Sequence, residues 1–171
     1  MRAALLLFLS AATLLAGEVV LRDNPLPDVK ATIQIPEGWT MTSENEDGVF
    51  VYKFSKGGTP EIAAITLSVT TKVPERTEQS PSAYAAALVD VSQDDTSAPA
   101  QKGKISDMPS LRAEYNFEGD AGKMCAVNIA IPNDKTGTLY FFAWQSPMEE
   151  ALELEAIREK ILASVKIDPS F

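Results

Sequence analysis

The chain has 171 residues, of which 24 are acidic, 15 are basic and none is histidine, so its formal net charge is −9. This acidic balance counts against nucleic-acid partners and anionic membrane surfaces, which both need a basic protein surface. The missing histidine excludes Ser-His-Asp and Cys-His catalysis and typical zinc sites, because imidazole is the usual base near neutral pH and the commonest transition-metal ligand.

Residues 1–17 have the order of a secretion signal. Arg2 precedes an apolar run that ends on the small residues Ala16 and Gly17, before the charged Glu18. The run is shorter than the roughly 20 residues that span a bilayer, so we expect cleavage rather than retention as an anchor. A bacterial lipoprotein signal would place a cysteine where Glu18 stands, so no lipid attachment is expected. The mature protein is predicted to be periplasmic or secreted, without a membrane span.

The first half of the mature chain reads as strands. Residues 18–30, with Pro25 and Pro27, are predicted to form an extended lead-in to a single domain at 31–171. Residues 31–35 alternate as a strand and stop at a Pro-Gly turn. After an acidic loop at 43–48, further strands are predicted at 49–54 and 63–71, and the three are expected to form an antiparallel meander.

The second half begins and ends with a helix. Ser80-Pro81 predicts the first helix start, with a serine cap and proline at the first helical position. The elements that follow are a surface loop at 92–104, strands at 111–118, 123–132 and 138–145, and a terminal helix. Ser146, Pro147 and Glu149 have the pattern of a helix cap, and Leu154, Ile157, Ile161 and Val165 follow at helical spacing.

Two short motifs carry a family resemblance: Pro36-Glu37-Gly38-Trp39 after the first strand, and Ile161-Leu162-Ala163-Ser164-Val165 in the last helix. With the order of elements from about residue 33 to 167, they resemble the PsbP/DcrB-like superfamily. The resemblance implies an α+β fold, with an antiparallel sheet of about six strands and two main helices packed on it. It also implies binding or scaffolding, since the superfamily shares no catalytic residues to carry over.

Few residues suggest chemistry. Cys125 alternates with apolar Val127 and Ile129, which predicts a small buried hydrophobe rather than a reactive thiolate. The acidic segment 44–48 and the pair Asp94-Asp95 lack the spaced ligands of a calcium loop and are predicted to be solvated. No catalytic residue, metal site or cofactor is therefore predicted.

The last strand is apolar on both faces, with Tyr140, Phe142 and Trp144 on one and Leu139, Phe141 and Ala143 on the other. This pattern predicts a central strand covered by a helix on each side, with a ligand groove as the alternative. Trp39 is similarly expected to be a lid over the core.

A polar sheet surface is the candidate for partner binding. Its predicted members are Arg112, Glu114, Asn116, Thr66 and Ser68. Two helices rarely cover both faces of a six-stranded sheet, so part of this surface is expected to meet a protein or envelope component. The sequence therefore predicts an exported, non-enzymatic binding or scaffolding protein of the bacterial envelope or extracellular space. The alternatives are a hydrolase using carboxylates or a Ser-Lys pair, and a secretion adaptor or chaperone.

Overall fold

Two antiparallel sheets and three helices make up the described part of the computed structural model, which covers residues 19–56, 64–91, 99–119 and 122–171. The elements in chain order are β1 (Leu21–Leu26), a 3₁₀ turn (Pro27–Val29), β2 (Ala31–Pro36), β3 (Trp39–Glu46), β4 (Val49–Lys56), β5 (Ala64–Thr70), α1 (Val73–Thr77), α2 (Pro81–Val91), β6 (Gln101–Ile105), β7 (Met108–Gly119), β8 (Gly122–Asn133), β9 (Thr138–Pro147), α3 (Ala151–Ser164) and β10 (Lys166–Ile167).

The larger sheet has seven strands in the order β3-β4-β5-β9-β8-β7-β6. Strand β9 is therefore central, as its apolar residues on both faces predict. The α+β class and the antiparallel pairing are confirmed. The prediction of about six strands is too low, because the large sheet has seven and a separate sheet adds three.

One face of the large sheet carries the main core. Ile65 of β5, Trp144 of β9 and Val127 of β8 lie in register across the strands and are almost fully buried. Helix α3 packs over them through Ile161 and Leu162. Apolar burial of this kind supplies most of the driving force for folding, at about 25 cal/mol per Å².

The opposite face carries a smaller core under α2. Ala85 and Val89 of α2 pack with Ala113 of β7, Ala130 of β8 and Leu139 of β9. The small side chains let the helix approach the strands closely. The prediction of a helix on each side of β9 is thus confirmed. The cap is as predicted too, since the Ser80 side chain accepts a hydrogen bond of 3.2 Å from the amide of Ala83.

The second sheet is small and joins the two ends of the described chain. Strand β2 lies between β1 and β10 and pairs antiparallel with both. The predicted meander of the first three strands is therefore wrong in its first member, and the meander is formed by β3, β4 and β5 instead. The extended lead-in at 18–30 contains strand β1, whose Arg22 and Asp23 are exposed and give no apolar alternation.

Two predicted loops are shorter than expected. The acidic loop at 43–48 belongs mostly to β3, and only Asp47 and Gly48 form the turn, both with positive φ. The loop at 92–104 contains strand β6, whose residues are mostly exposed. The remainder of that loop at 92–98, the predicted signal at 1–17 and the turn residues 57–60 and 120–121 lie outside the described residues.

The predicted start of the terminal helix is wrong by several residues. Ser146 and Pro147 close strand β9, where Ser146 pairs with Cys125 and is buried. The position before α3 is Glu150, which makes no side-chain capping bond. Strand pairing to β8 therefore prevails over the local capping pattern.

No helix in 19–56, 64–91, 99–119 or 122–171 is long and apolar enough to cross a membrane.

Candidate functional site

A cleft of about 600 Å³ lies between the β6–β7 hairpin and α3. The hairpin contributes one wall and α3 the other. Its lining includes Gln101–Asp107, Ser110 and Arg112 from the hairpin, and Glu159, Leu162 and Ala163 from α3. The cleft thus combines apolar, hydroxyl and charged groups at one edge of the large sheet.

The hairpin wall is held at its tip. Ser106 and Asp107 form a two-residue turn with φ of 51° and 62°, the conformation of a type I′ hairpin. The Ser106 hydroxyl accepts a hydrogen bond of 2.8 Å from the amide of Ile167 in β10. Met108, just after the turn, is 7% exposed. The small sheet therefore fixes the position of the hairpin relative to the rest of the fold.

A charge network joins the two walls. Arg112 on β7 donates hydrogen bonds to Glu114 on the same strand and, at 2.8 Å, to Glu159 on α3. Arg158 lies beneath them with only 5% of its side chain exposed, 3.7 Å from Glu114 and 3.4 Å from Glu159. Because each glutamate contacts a guanidinium on the other element, the network ties α3 to β7.

The network also fixes the charge of Arg112. Partial burial acts to lower its pKa, but the hydrogen bonds from its guanidinium to Glu114 and Glu159 outweigh this, so the pKa is raised above its ordinary value. Arg112 therefore remains a cation near neutral pH, and the cleft keeps a fixed positive group on its hairpin wall.

Three of the five predicted contact residues lie on the face of the sheet that bears the cleft. Arg112 is opposite Ile129 and Glu114 is opposite Val127 in the β7–β8 register, and both apolar residues belong to the core under α3. Asn116 continues the same alternation towards the end of β7. Arg112 lines the cleft itself.

The other two predicted residues lie on the opposite face. Thr66 pairs with Ala143 and Ser68 pairs with Phe141, and Phe141 packs against the core under α2. The five residues are therefore not one surface. The reason is that strand alternation gives the two faces of a single strand, but not which face aligns with the next hairpin.

Sequence reasoning missed the contribution of α3. Arg158 falls between Leu154 and Ile161 on the buried stripe of the helix, at spacings of four and three residues. A charged residue on an apolar stripe is a signal for a buried ion pair, and its neighbour Glu159 completes the cleft wall.

The other candidate residues stay outside this site. Cys125 is half-buried, and burial raises the pKa of its thiol, with Arg158 acting in the opposite direction. Within the described ranges, no cluster of three or more Asp, Glu or Cys side chains is arranged to hold a metal ion. The predicted calcium alternative at Asp94-Asp95 lies outside those ranges.

Trp39 is half-buried, and its ring centroid lies 6.1 Å from that of Trp144, as expected of a lid on the core.

The acidic segment 44–48 borders a second, open groove of about 680 Å³. Arg76 closes one side of it and donates a hydrogen bond to the carbonyl oxygen of Asp47. Glu44 is bonded at 3.3 Å to Lys53. Glu44 and Asp47 are therefore each paired with a basic side chain of the protein, in keeping with the solvated surface that the sequence predicts.

No protein-family model matches the sequence, and no curated protein sequence matches it either. Solved structures, in contrast, match the fold of this chain. Cyanobacterial PsbP (CyanoP) from Synechocystis sp. PCC 6803 superposes with a TM-score of 0.61 at 13% identity, over 90% of this chain and 95% of that one. The chain has a PsbP-like fold. The superfamily resemblance expected from the sequence is confirmed at the level of the fold.

Two further structures share the PsbP-like fold. LpqN of Mycobacterium tuberculosis, which is involved in cell envelope biogenesis, matches with a TM-score of 0.61 at 10% identity, covering 90% of this chain and 93% of LpqN. The Ran-binding protein Mog1p of Saccharomyces cerevisiae matches with a TM-score of 0.51 at 10% identity, covering 87% and 96%. These identities establish a common fold and assign no residue roles.

Proposed function

We propose that this protein is an exported, non-enzymatic binding or scaffolding protein of the cell envelope or extracellular space, and that its partner docks in the cleft between the β6–β7 hairpin and α3. The partner is a protein or an envelope component. The side chains of Arg112, Glu114 and Asn116 contribute to this contact. Thr66 and Ser68 lie on the other face of the sheet and belong to a separate, secondary surface.

The observation that carries this proposal is the bridge between Arg112 on β7 and Glu159 on α3. A guanidinium nitrogen of Arg112 lies 2.8 Å from a carboxylate oxygen of Glu159, so the bridge joins the two walls of the cleft. The buried Arg158 contacts Glu159 as well. Walls that are held before a partner arrives lose little conformational freedom on binding, which favours affinity. A preorganised cleft lined by both apolar and charged groups suits recognition of a specific surface.

The same network favours binding over hydrolysis. Glu159, which lines the cleft, and Glu114, which belongs to the same charge network, both accept hydrogen bonds from Arg112. A carboxylate that is held by a guanidinium is less available to contact a substrate as a general acid or base. Among the described residues, no serine hydroxyl is hydrogen-bonded to a lysine amine, so the groups of a Ser-Lys mechanism are not assembled there either.

The exported location rests on residues 1–17, whose sequence has the order of a secretion signal. The fold is consistent with such a location, since the structurally similar LpqN is involved in cell envelope biogenesis. Binding within this fold also has a precedent, because Mog1p is a Ran-binding protein.

The test uses a matched pair of substitutions on α3. Ala163 lines the cleft and Ala156 does not, and both are exposed. Ala163→Trp should fill the cleft and reduce co-purification of the cross-linked partner from the native envelope fraction by at least about tenfold, whereas Ala156→Trp should leave it unchanged. Circular dichroism verifies that both variants fold. Equal capture by the two variants would exclude the cleft as the docking site.

A further inference from the structure

Strand β6 is an edge of the large sheet. It pairs with β7 on one side, and it has no strand partner on the other side among the described residues. An unpaired strand edge presents a row of backbone donors and acceptors, to which an extended chain can add as a further strand.

The hairpin geometry identifies which backbone groups are available. In a two-residue type I′ hairpin the residues that flank the turn, here Ile105 and Met108, form a hydrogen-bonded pair. The pattern alternates along an antiparallel ladder, so Gly103 also bonds to β7 while Lys102 and Lys104 do not. Pro109, opposite Lys104, has no amide hydrogen to give, which agrees with this register.

The amides and carbonyls of Lys102 and Lys104 therefore point away from β7, towards the open edge. An added strand can exchange hydrogen bonds with both residues without disturbing any bond of the hairpin. This edge also borders the cleft, since all of Gln101–Asp107 lines it. Alternate side chains of an added strand would enter the cleft towards α3, and the others would remain outside.

Gly103 keeps space open beside such a strand. A Cβ atom there would lie 3.2 Å from the Ser110 hydroxyl oxygen, so glycine leaves the cleft side of β6 without a side chain at this one position. The neighbouring residues provide the charge. Lys102 and Lys104 are exposed, and neither makes an ion pair within the described part of the chain.

This edge differs in charge from the opposite edge of the same sheet. Strand β3 carries Glu44 and Glu46, and the whole chain has a net charge of −9. An acidic segment would be repelled by most of the molecule and attracted to Lys102 and Lys104, because charge complementarity steers encounter and fixes register.

We propose that the partner of this protein presents an extended, acidic peptide segment, which adds to β6 as an eighth strand and directs alternate side chains into the cleft. The inference rests on the proposed binding function and specifies the chemistry and the geometry of the contact.

Synthetic peptides of about ten residues, in which valine alternates with aspartate or glutamate, serve as probes, since this length covers a typical strand. A second set with lysine in place of the acids is the comparison. We expect the acidic set to bind at least about tenfold more tightly at low salt, with the difference shrinking as salt increases. Equal binding of both sets, or of neither, would overturn the proposal.

Amide exchange tests the geometry directly. In the free protein the amides of Lys102 and Lys104 should exchange rapidly with solvent, while that of Gly103 is protected by its bond to β7. Bound acidic peptide should protect Lys102 and Lys104 and change Gly103 little. If the two lysine amides remain in fast exchange in the presence of saturating peptide, strand addition is excluded.

Two substitutions at one position separate charge from hydrogen bonding. Lys104→Gln removes the charge and should weaken peptide binding severalfold. Lys104→Pro also removes the outward amide, so it should weaken binding further while leaving the hairpin bonds intact, since proline is tolerated on edge strands. Lys123→Gln is the charge-matched control on β8. Equal binding by the Gln and Pro variants would contradict strand addition.

The result is distinguishable from failure of the proposed function. If the full-length protein still captures its envelope partner, and Ala163→Trp abolishes this capture while the Lys104 variants do not affect it, the cleft binds a partner by another mode. If Ala163→Trp also has no effect, the proposed docking site itself is wrong.

Discussion

The hydroxyl of Tyr140 on β9 donates a hydrogen bond of 3.0 Å to the carbonyl oxygen of Val29, and both residues are fully buried. Val29 ends the 3₁₀ turn between β1 and β2, so this bond links the small sheet to the centre of the large one. Tyr52 on β4 also has a buried hydroxyl, but without a hydrogen-bond partner in the described ranges.

This contrast predicts opposite effects of the same substitution. Tyr140→Phe leaves the Val29 carbonyl buried and unsatisfied, so it should lower the free energy of unfolding by about 1–3 kcal/mol. Tyr52→Phe removes a hydroxyl that is already unsatisfied and should be neutral or slightly stabilising. Urea unfolding of both variants measures the difference, and an equal loss in the two would mean that the Tyr140 bond contributes nothing.

The two tyrosines also predict alkaline sensitivity. Burial raises the pKa of Tyr140 and of Tyr52 above the ordinary 10.0, with smaller contributions from Asp168 and Asp28 respectively. As pH rises, the two tyrosines ionise in the unfolded chain before they ionise in the folded protein. Their contribution to the free energy of unfolding is therefore complete below pH 10.0 and is lost as pH rises above it. The unfolding free energy should fall more steeply with pH in the wild type than in a Tyr52→Phe/Tyr140→Phe variant. Parallel slopes would contradict this assignment.

Stability of α3 should depend on its buried face and not on Ser146. Ile161 is 1% exposed, so Ile161→Ala should cost about 2–5 kcal/mol through lost burial and the cavity it leaves. Ser146→Ala should cost less than about 0.5 kcal/mol, since Ser146 lies in β9 and caps no helix amide. Denaturant melts check the order of the two, and a larger loss at Ser146 would mean that its strand position matters more than the α3 core.

Export is tested at the N-terminus. If residues 1–17 act as a cleaved signal, Edman sequencing of protein from the native cell should begin near Glu18, and the material should lie outside the cytoplasm. Substituting Arg2 and two leucines of the apolar run with glutamate should retain an uncleaved precursor inside the cell. Cytoplasmic protein that begins at Met1 in the wild type would contradict export.

Cys125 should react slowly with thiol reagents. Its side chain is half-buried and burial raises its pKa, so little thiolate is present near neutral pH. Labelling at about pH 7 should be several times slower than for an unstructured cysteine peptide, and should match the peptide once the protein is unfolded in urea. Labelling as fast as the peptide in the folded protein would show an activated thiol.

Much of the fold could be predicted because its longest elements have strong local patterns. Strand β9 has apolar residues on both faces, and α2 begins with a serine cap and a proline. The small sheet could not be predicted in this way, because β1 contains Pro25 and exposed charges and β10 has two residues. Its strands are stabilised by pairing with β2, which is a long-range contact that no local sequence pattern encodes.

The candidate site was less predictable for the same reason. Arg112 and Glu114 could be chosen because they alternate with buried residues in β7. Their partner Glu159 lies 47 residues from Arg112 along the chain, and only the packing of α3 brings it within reach. The grouping of Thr66 and Ser68 with them on one face has a related cause, because the face that a strand presents depends on its register in the sheet.

The position of β2 between β1 and β10 has a consequence for the order in which the protein folds. Synthesis produces the chain from its N-terminus, and the ladder partner of Ala31 in β10 is Ile167. The small sheet therefore cannot close until β10 has been synthesised. Contacts between such distant segments slow folding because a long loop must be closed. Until β10 emerges, strand β2 has only β1 to pair with, so the small sheet is completed late in the formation of the fold.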